Sequence, residues 1–438
     1  MSNVFTGATC GRMAASSRAS QRALVCHPRT LHLCALGALL AAAGTLSSPV
    51  HALGFAEALD LAEQQSPRIT AQRLQIDAAG SMQKAAGTLP DPKLSVGIEN
   101  FPITGMDRGS FSRESMTMQR LALMQEVPNR AKRDAQIAGA QAKVERERAT
   151  LAVHRVQIRQ ELSQAWILAQ AIEQRDLVLT DLLAENQRLQ DSLPSRIAGG
   201  SAQAGDVLAA RQEALALSDR QDDLRRDRAK ARAMLRRWVG SRSDEGLQGA
   251  PGSLSRPVEE LRALVLRHAE LAQYPAMQAM AAAESLEAQA QTRGDWSWEV
   301  AYSRRARQWG DMVSFQVTFD LPWQQERRQG PQIKAKQLEL QRLEAEQEDV
   351  TRRRLQELDD SAAELAALQS QIERLQSAGI GLAQGRAQLA LANYQAAKGD
   401  LSAVLGARAQ VLEAQWRLID LQAQRDAVTA RLNSLIAD

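Results

Sequence analysis

The feature that most constrains this chain is a very long stretch without helix-breaking residues. Between Asn129 and Leu193 there is no proline and a single glycine, Gly139. Leu, Ile, Val and Ala recur every three or four residues through this stretch, which is the spacing of one face of an α-helix. At 1.5 Å per residue, a helix of about 65 residues extends for roughly 100 Å. Such a length predicts a coiled coil rather than a helix inside a globular core.

The amino-acid composition also favours long helices packed through small residues. Aromatic residues make up 4% of the chain and charged residues 24%, so few bulky side chains are available to fill a thick core. The net charge is +3 with Arg and Glu interleaved, which argues against a nucleic-acid-binding protein. The sequence has no Gly-rich phosphate loop, nucleophile elbow or paired histidines, so we predict neither an enzyme, a cofactor nor a metal site.

The N-terminal region has the pattern of a secretory signal peptide. Four arginines precede the apolar segment 33–46, and small residues with the spacing of a cleavage site follow at 50–52. We therefore expect residues 1–52 to direct export and to be removed. Met13 is an alternative start. An anchoring helix is the other interpretation, although the apolar segment is short for a membrane span.

The three cysteines of the chain all lie in this leader, at Cys10, Cys26 and Cys34. The exported protein would then have no disulfide and no thiolate metal site. Only His154 and His268 remain beyond the leader, too few for a histidine-based metal cluster. No other apolar run of about 18 residues occurs, so the sequence predicts no membrane-spanning helix.

The remainder of the chain follows the same plan twice. The segment "MQRLALMQEVP" (118–128) aligns with "MVSFQVTFDLP" (312–322), and "DVLAAR" (206–211) aligns with "AVLGAR" (403–408). Two repeats of one supersecondary plan are the simplest explanation.

We therefore predict two structural repeats separated by a linker rich in turn residues. Each repeat contains a first helix, two strands and a long helical hairpin. The predicted boundaries are 53–240 for the first repeat, 241–257 for the linker and 258–438 for the second repeat. Within the two repeats, the first helices are predicted at about 54–86 and 257–291. The strands are predicted at about 93–127 and 295–321, and the hairpins at about 129–239 and 331–437.

Four strand segments alternate apolar and polar residues, which is the pattern of a strand with two different faces. Their length of about ten residues, with Trp and Tyr among the apolar positions, is typical of tilted membrane strands. A small soluble sheet covered by helices has the same pattern and stays an alternative. Open sheet edges are excluded from lipid, so the membrane interpretation requires several copies to share one barrel. The predicted lipid-facing residues are Leu94, Val96, Ile98, Trp296, Trp298, Val300, Tyr302, Phe315, Val317, Phe319 and Leu321.

This duplicated plan resembles the TolC family of bacterial outer-membrane efflux channels over nearly the whole exported chain. The hairpin turn "SRIAGGSAQAGDVLAAR" (195–211) is similar to the family's periplasmic tip at Gly200 and at Asp206 and Val207. The resemblance implies a mainly α fold with long helical hairpins and a small β part. Four strands per protomer would contribute to a twelve-stranded barrel shared by a homotrimer.

The second turn, "NYQAAKGDLSAVLGAR" (393–408), departs from the family pattern. Ala397 stands at the position of the family's glycine and Ala403 at that of its aspartate, while Gly399 and Asp400 supply similar chemistry three residues before Ala403. The resemblance implies that both tips gate the tunnel and dock an adaptor protein. We expect these roles for Arg196, Gly199, Gly200, Gly205, Asp206, Val207, Lys398, Gly399 and Asp400.

Two short segments, "ENFPITG" and "MTMQRLALMQEVPNRAKR", resemble the heavy-metal branch of the family. This implies a passive outer-membrane conduit for copper and silver or cobalt, zinc and cadmium, working with a periplasmic adaptor and an inner-membrane RND-type pump. Met106, Met116, Met118 and Met124 are either thioether ligands for Cu(I) or apolar filler. A multidrug channel, a periplasmic adaptor protein and a soluble coiled-coil scaffold remain alternatives.

Overall fold

A computed structural model of the protein describes residues 52–254 and 256–436. The predicted signal peptide, residues 1–52, lies outside the described residues except for its last position, and so do the three cysteines. Among the helices of the described ranges, none combines the length and the apolar character that a membrane crossing needs.

Helices and strands follow a similar order in the two halves of the chain. The first half contains β1 (Leu53–Gly54), α1 (Phe55–Gln65), α2 (Pro67–Ala85), β2 (Lys93–Glu99), β3 (Met118–Val127), α3 (Arg130–Ala198) and α4 (Ala204–Val239). The second half contains β4 (Leu247–Gln248), α5 (Val258–Val265), α6 (Ala269–Ala272), α7 (Tyr274–Ala290), β5 (Trp296–Arg304), β6 (Met312–Phe319), α8 (Gln329–Arg374), α9 (Ile380–Gln395) and α10 (Leu401–Ser434). A π-helical turn (Leu375–Gly379) joins α8 to α9.

The two largest apolar clusters of the described residues lie between the helices. In the first, Trp166 of α3 is fully buried between α1, α4 and α10, and its indole N–H donates to the carbonyl oxygen of Gly249 at 3.0 Å. In the second, Leu358 of α8 and Leu432 of α10 are fully buried against α5. The helix α3 has 69 residues. Its stability therefore comes from packing along its length, as expected for a helix far longer than a globular core.

Two predicted helices are divided in the structure. The segment predicted as one helix over 54–86 breaks at Ser66, whose backbone is extended, because the α conformation is disfavoured immediately before Pro67. The segment predicted over 257–291 contains the three helices α5, α6 and α7, with the imidazole of His268 capping α6. The linker also contains β4, which pairs in parallel with β1 and which the sequence pattern did not predict.

The other four strands form one antiparallel sheet in the order β2-β3-β5-β6. The central pair joins the two halves of the chain, with Leu123 of β3 opposite Val300 of β5. On the outer sides, Leu94 lies opposite Leu123, and Val300 lies opposite Phe315. Within the described chain, β2 and β6 each have one neighbouring strand, so each presents a free edge.

Asp295 connects the sheet to the start of α3. Its carboxylate accepts from the backbone N–H of Asn129 at 2.9 Å and from the side-chain amide of Asn129 at 3.0 Å. It also accepts from Lys132 Nζ at 2.8 Å. Burial opposes ionisation of Asp295, but the bonds from Lys132 and Asn129 outweigh it and hold the pKa of this carboxyl below its ordinary value of 3.8.

We expect Asp295→Ala to lower the free energy of unfolding by about 2–3 kcal/mol, because it removes hydrogen bonds to a charged, partly buried acceptor. Since the pKa is depressed in the folded protein, this contribution is present above pH 3.8 and is lost as the pH falls through the folded pKa. Thermal unfolding of wild type and variant at pH 7 and pH 3 would measure it. A difference that grows on acidification would contradict the assignment.

Candidate functional site

One face of the four-stranded sheet is mainly apolar, and the polar residues on it are Gln119, Gln125 and Arg304. The register places all the predicted lipid-facing residues except Leu321 on this face, and Leu321 follows the end of β6. Most of these side chains are exposed, for example Leu94 and Phe315. Leu121 and Leu123 of β3 complete the face between β2 and β5. An exposed apolar surface of this extent marks a site of contact with a membrane or with another protein.

The opposite face of the sheet is polar and carries a row of charges. Arg120 lies in β3 and donates to Glu99 Oε1 of β2 at 2.6 Å, and it forms an ion pair with Glu299 of β5 on its other side. Lys93 pairs with Glu126 nearby. Arg120 thus links three strands across the polar face.

The four methionines considered as metal ligands are dispersed. Met118 and Met124 lie on the polar face with Arg120, whereas Met106 and Met116 lie in the loop between β2 and β3. In the described part of the chain, no group of three or more His, Cys, Asp or Glu side chains is arranged to hold a metal ion.

The first hairpin reverses direction through a Schellman turn at the end of α3. Gly200 N donates to the carbonyl oxygen of Ile197 at 3.0 Å, and Ser201 N donates to that of Arg196 at 2.8 Å. Gly200 has φ +69°, a left-handed conformation in which a glycine carries no steric penalty.

The second hairpin uses the same turn with alanine in place of glycine. Ala397 N donates to the carbonyl oxygen of Tyr394 at 3.0 Å, and Lys398 N donates to that of Asn393 at 2.9 Å. Ala397 has φ +56°, so it occupies the same left-handed position as Gly200 in the first tip. The departure from the family pattern in the sequence is therefore a strained residue within an otherwise identical turn.

We expect Ala397→Gly to stabilise the second tip by about 1 kcal/mol, because glycine removes the left-handed penalty of roughly 1–2 kcal/mol at some cost in chain entropy. Ala396→Gly is the matched control, since Ala396 has φ −82° and glycine there has only the entropic cost. Hydrogen exchange of the tip amides would measure both. Equal protection in the two variants would contradict the strain argument.

Asp400 begins α10 as its N-cap. Its carboxylate accepts from Ala403 N at 3.0 Å, and this backbone hydrogen bond holds the pKa of Asp400 below 3.8. Gln203 occupies the corresponding position at the start of α4. Asp400 is therefore the equivalent of Gln203 rather than a displaced equivalent of Asp206.

A buried hydrogen bond joins the two hairpin tips. Tyr394 Oη of α9 donates to Asp206 Oδ2 of α4 at 2.8 Å, and both residues are buried. Asp206 Oδ2 also accepts from Gln203 N at 2.9 Å, and this bond closes a capping box at the start of α4. The guanidinium of Arg196 lies 4.9 Å from the centre of the Tyr394 ring. Burial, and then the bond to Asp206, raises the pKa of Tyr394 above 10.

Apolar residues from both hairpins surround this hydrogen bond. Leu193 of α3 and Leu401 and Val404 of α10 are buried in the same cluster as Tyr394. The sequence pattern indicates Arg196 and Asp206 as tip residues but does not indicate Tyr394. The signal for Tyr394 in the sequence is an aromatic residue next to a hairpin turn, in a chain with only three tyrosines.

The other predicted tip residues lie around the two turns with different degrees of exposure. Val207 is half-buried and packs against the tip cluster. Gly199 ends α3 and Gly205 lies in the first turn of α4, both exposed. Lys398 and Gly399 are also exposed, between α9 and α10. These exposed positions are available to a partner, whereas Asp206 is not.

Comparison with known sequences finds one family that matches part of the chain. Residues 58–241, from α1 to the end of α4, match the family described as "Outer membrane efflux protein". This part of the chain is therefore similar to that family. No curated protein sequence matches the chain.

Solved structures share the fold of this chain over most of its length. Crystal structures of CusC give a TM-score of 0.70 at 15% identity, covering 87% of this chain and 92% of that chain. The outer membrane protein VceC from Vibrio cholerae gives 0.72 at 19% identity, with 87% and 96% covered. The Campylobacter jejuni CmeC outer membrane channel gives 0.73 at 9% identity, with 87% and 85% covered. At these identities the likeness concerns the fold alone.

Proposed function

We propose that three copies of this protein form one outer-membrane channel with a periplasmic tunnel. The observation that carries the proposal is the four-stranded sheet, with an exposed apolar face and a charged opposite face. In a closed barrel the apolar face meets lipid, and the row of charges around Arg120 lines the lumen. The two long hairpins, α3 with α4 and α8 and α9 with α10, extend from the sheet as the tunnel wall.

The free edges of the sheet support a shared barrel. In the antiparallel order β2-β3-β5-β6, an edge strand β6 lies antiparallel to β2 of a following copy, so identical sheets join without a mismatch. Two copies would give a barrel of about eight strands, and in a barrel of that size side chains fill the interior. Three copies give a twelve-stranded barrel, the smallest such assembly with room for a passage.

The hairpin tips are the proposed gate and docking surface. The hydrogen bond between Tyr394 and Asp206 holds the two tips of one copy together in the closed arrangement. A periplasmic adaptor would contact the exposed turns near Gly200 and Lys398 and favour a second packing of the tips. An inner-membrane RND-type pump would supply the energy, since the channel has no catalytic site of its own.

The polar face predicts the ion selectivity of the lumen. The strands carry Lys93 and Arg120 against Glu99, Glu126 and Glu299 on this face. We expect Arg120→Gln to leave two unpaired carboxylates in each copy and to increase cation over anion permeability several-fold. Reversal potentials across a KCl gradient in planar bilayers would measure it, with Arg120→Lys as the charge-preserving control. An unchanged potential in Arg120→Gln would place this face outside the ion pathway.

The proposed cargo is heavy-metal cations, copper and silver or cobalt, zinc and cadmium. The resemblance of the "ENFPITG" loop supports this, and so does the position of Met118 and Met124 on the polar face, where thioethers could contact soft cations in transit. The alternative cargo is amphiphilic drugs, carried by a channel of the same fold.

Growth of a strain lacking the protein tests the function and its cargo together. The strain is exposed to copper, silver, zinc, cobalt and cadmium salts and to a panel of amphiphilic drugs, with a plasmid-restored strain as control. Sensitivity confined to metals supports the proposal. Sensitivity confined to drugs replaces the cargo while retaining the channel. Recovery of the protein in a soluble periplasmic fraction would contradict the channel itself.

A further inference from the structure

We infer that α4 of one copy packs against α9 of the next copy through four leucines. These leucines, here called the tip seam, are Leu208 and Leu215 on α4 and Leu382 and Leu389 on α9. The inference rests on the proposed ring of copies and names the surface by which neighbouring copies recognise each other near the tips.

The tip seam is exposed in the single chain. Leu208 and Leu215 are 69% and 70% exposed, and Leu382 and Leu389 are 68% and 63% exposed. On each helix the two leucines are seven residues apart, which is about two turns, so they share one face. Each helix thus presents a short apolar stripe to solvent.

Both helices already use their other face inside the chain. On α4, Leu217 is fully buried, and it lies nine residues after Leu208, about 180° around the helix. On α9, Tyr394 is buried five residues after Leu389, again on the far side. A helix with two opposite apolar faces is suited to a position between two neighbours. The contacts within one copy bury one of these faces on each helix and leave the other exposed.

The two stripes lie at equal sequence separations from the two turns. Leu208 follows Gly200 by eight residues, and Leu389 precedes Ala397 by eight, where Gly200 and Ala397 are the equivalent left-handed residues of the two turns. Leu215 and Leu382 are each fifteen residues from the same turns. The helix α4 runs away from its tip and α9 runs towards its own, so the two stripes match in antiparallel orientation.

This match identifies a second copy as the occupant. The hydrogen bond between Tyr394 and Asp206 holds the two tips of one copy at one level. Rotation about an axis along the hairpins generates the neighbouring copy without changing that level. Leu208 then meets Leu389, and Leu215 meets Leu382. The contact joins two different surfaces, and such a head-to-tail contact closes into a ring under cyclic symmetry.

Disulfide crosslinking tests the tip seam directly, because residues 52–438 contain no cysteine. Helices that pack 8–10 Å apart, with backbone radii of about 2.3 Å, bring facing Cα atoms to about 5 Å, within reach of a disulfide. The matched variants are Leu208→Cys with Leu389→Cys, and Leu215→Cys with Leu382→Cys. The mismatched control is Leu208→Cys with Leu382→Cys, which displaces one partner by about 10 Å along the helix.

The full-length protein is purified in detergent, its native mass is measured, and each variant is oxidised and separated on a denaturing, non-reducing gel. We expect the matched pairs to give crosslinked species of two and three chains, at least about five-fold more than the mismatched pair or any single cysteine. A trimeric native mass with matched pairs that stay at the mass of one chain, or crosslink no more than the control, would overturn the tip seam alone. A monomeric native mass of the wild type would overturn the proposed channel as well.

Discussion

We expect Phe315→Arg to abolish assembly of the proposed trimer in the outer membrane. Phe315 lies in the middle of β6, opposite Val300, on the apolar face of the sheet. A charged residue on the lipid face near the bilayer centre costs about 2–4 kcal/mol, and three copies would multiply this to roughly 6–12 kcal/mol per trimer. This is comparable with the total free energy of unfolding of a typical protein, about 5–15 kcal/mol. The amount of trimer in the outer-membrane fraction is the measurement.

The neighbouring residue provides a matched control for this experiment. Gln316 is adjacent in sequence but lies on the polar face, opposite Glu299. Gln316→Arg therefore places the same charge in the proposed lumen beside a carboxylate, and we expect normal amounts of trimer. If both variants assembled equally well, the apolar face would not face lipid, and a soluble sheet covered by a partner would become the better interpretation.

We expect Tyr394→Phe to open the proposed channel. The substitution keeps the aromatic ring in the tip cluster and removes only the hydroxyl that donates to Asp206. A hydrogen bond to a charged acceptor contributes about 1.5–3 kcal/mol, and 1.4 kcal/mol corresponds to a tenfold change in an equilibrium constant. We therefore expect at least about a tenfold increase in the open population. Current through single channels of the purified protein in planar bilayers would report it.

Alanine variants of two aspartates distinguish the effect of losing this hydrogen bond from the effect of losing a helix cap. Asp206→Ala removes both the bond to Tyr394 and the capping box of α4, so we expect at least the effect of Tyr394→Phe. Asp400→Ala removes the cap of α10, whose carboxylate accepts from Ala403 N of its own helix, and we expect nearly unchanged current. The double variant Tyr394→Phe with Asp206→Ala should not add the two single effects, since both break one interaction. Wild-type current in both Tyr394→Phe and Asp206→Ala would exclude this bond from the gate.

The sequence by itself determined the features that depend on local patterns. The absence of helix-breaking residues between Asn129 and Leu193 predicted α3 to within a few residues, because helix periodicity is a property of neighbouring positions. Strict alternation predicted β6 and the face that Phe315 occupies. The repeated turn sequences predicted two tips, and the structure adds that Ala397 adopts the same left-handed backbone as Gly200.

Contacts between residues far apart in the chain depend on the tertiary structure. The pairing of β3 with β5, and of β1 with β4, joins segments far apart in the chain. The bonds between Asp206 and Tyr394 and between Asn129 and Asp295 depend on how the hairpins and the sheet are set against each other. Periodicity specifies which face of a helix or strand is apolar, but it leaves open the partner and the axial position of the contact. A single buried hydrogen bond is decided by that position to within a fraction of an ångström, which no local pattern encodes.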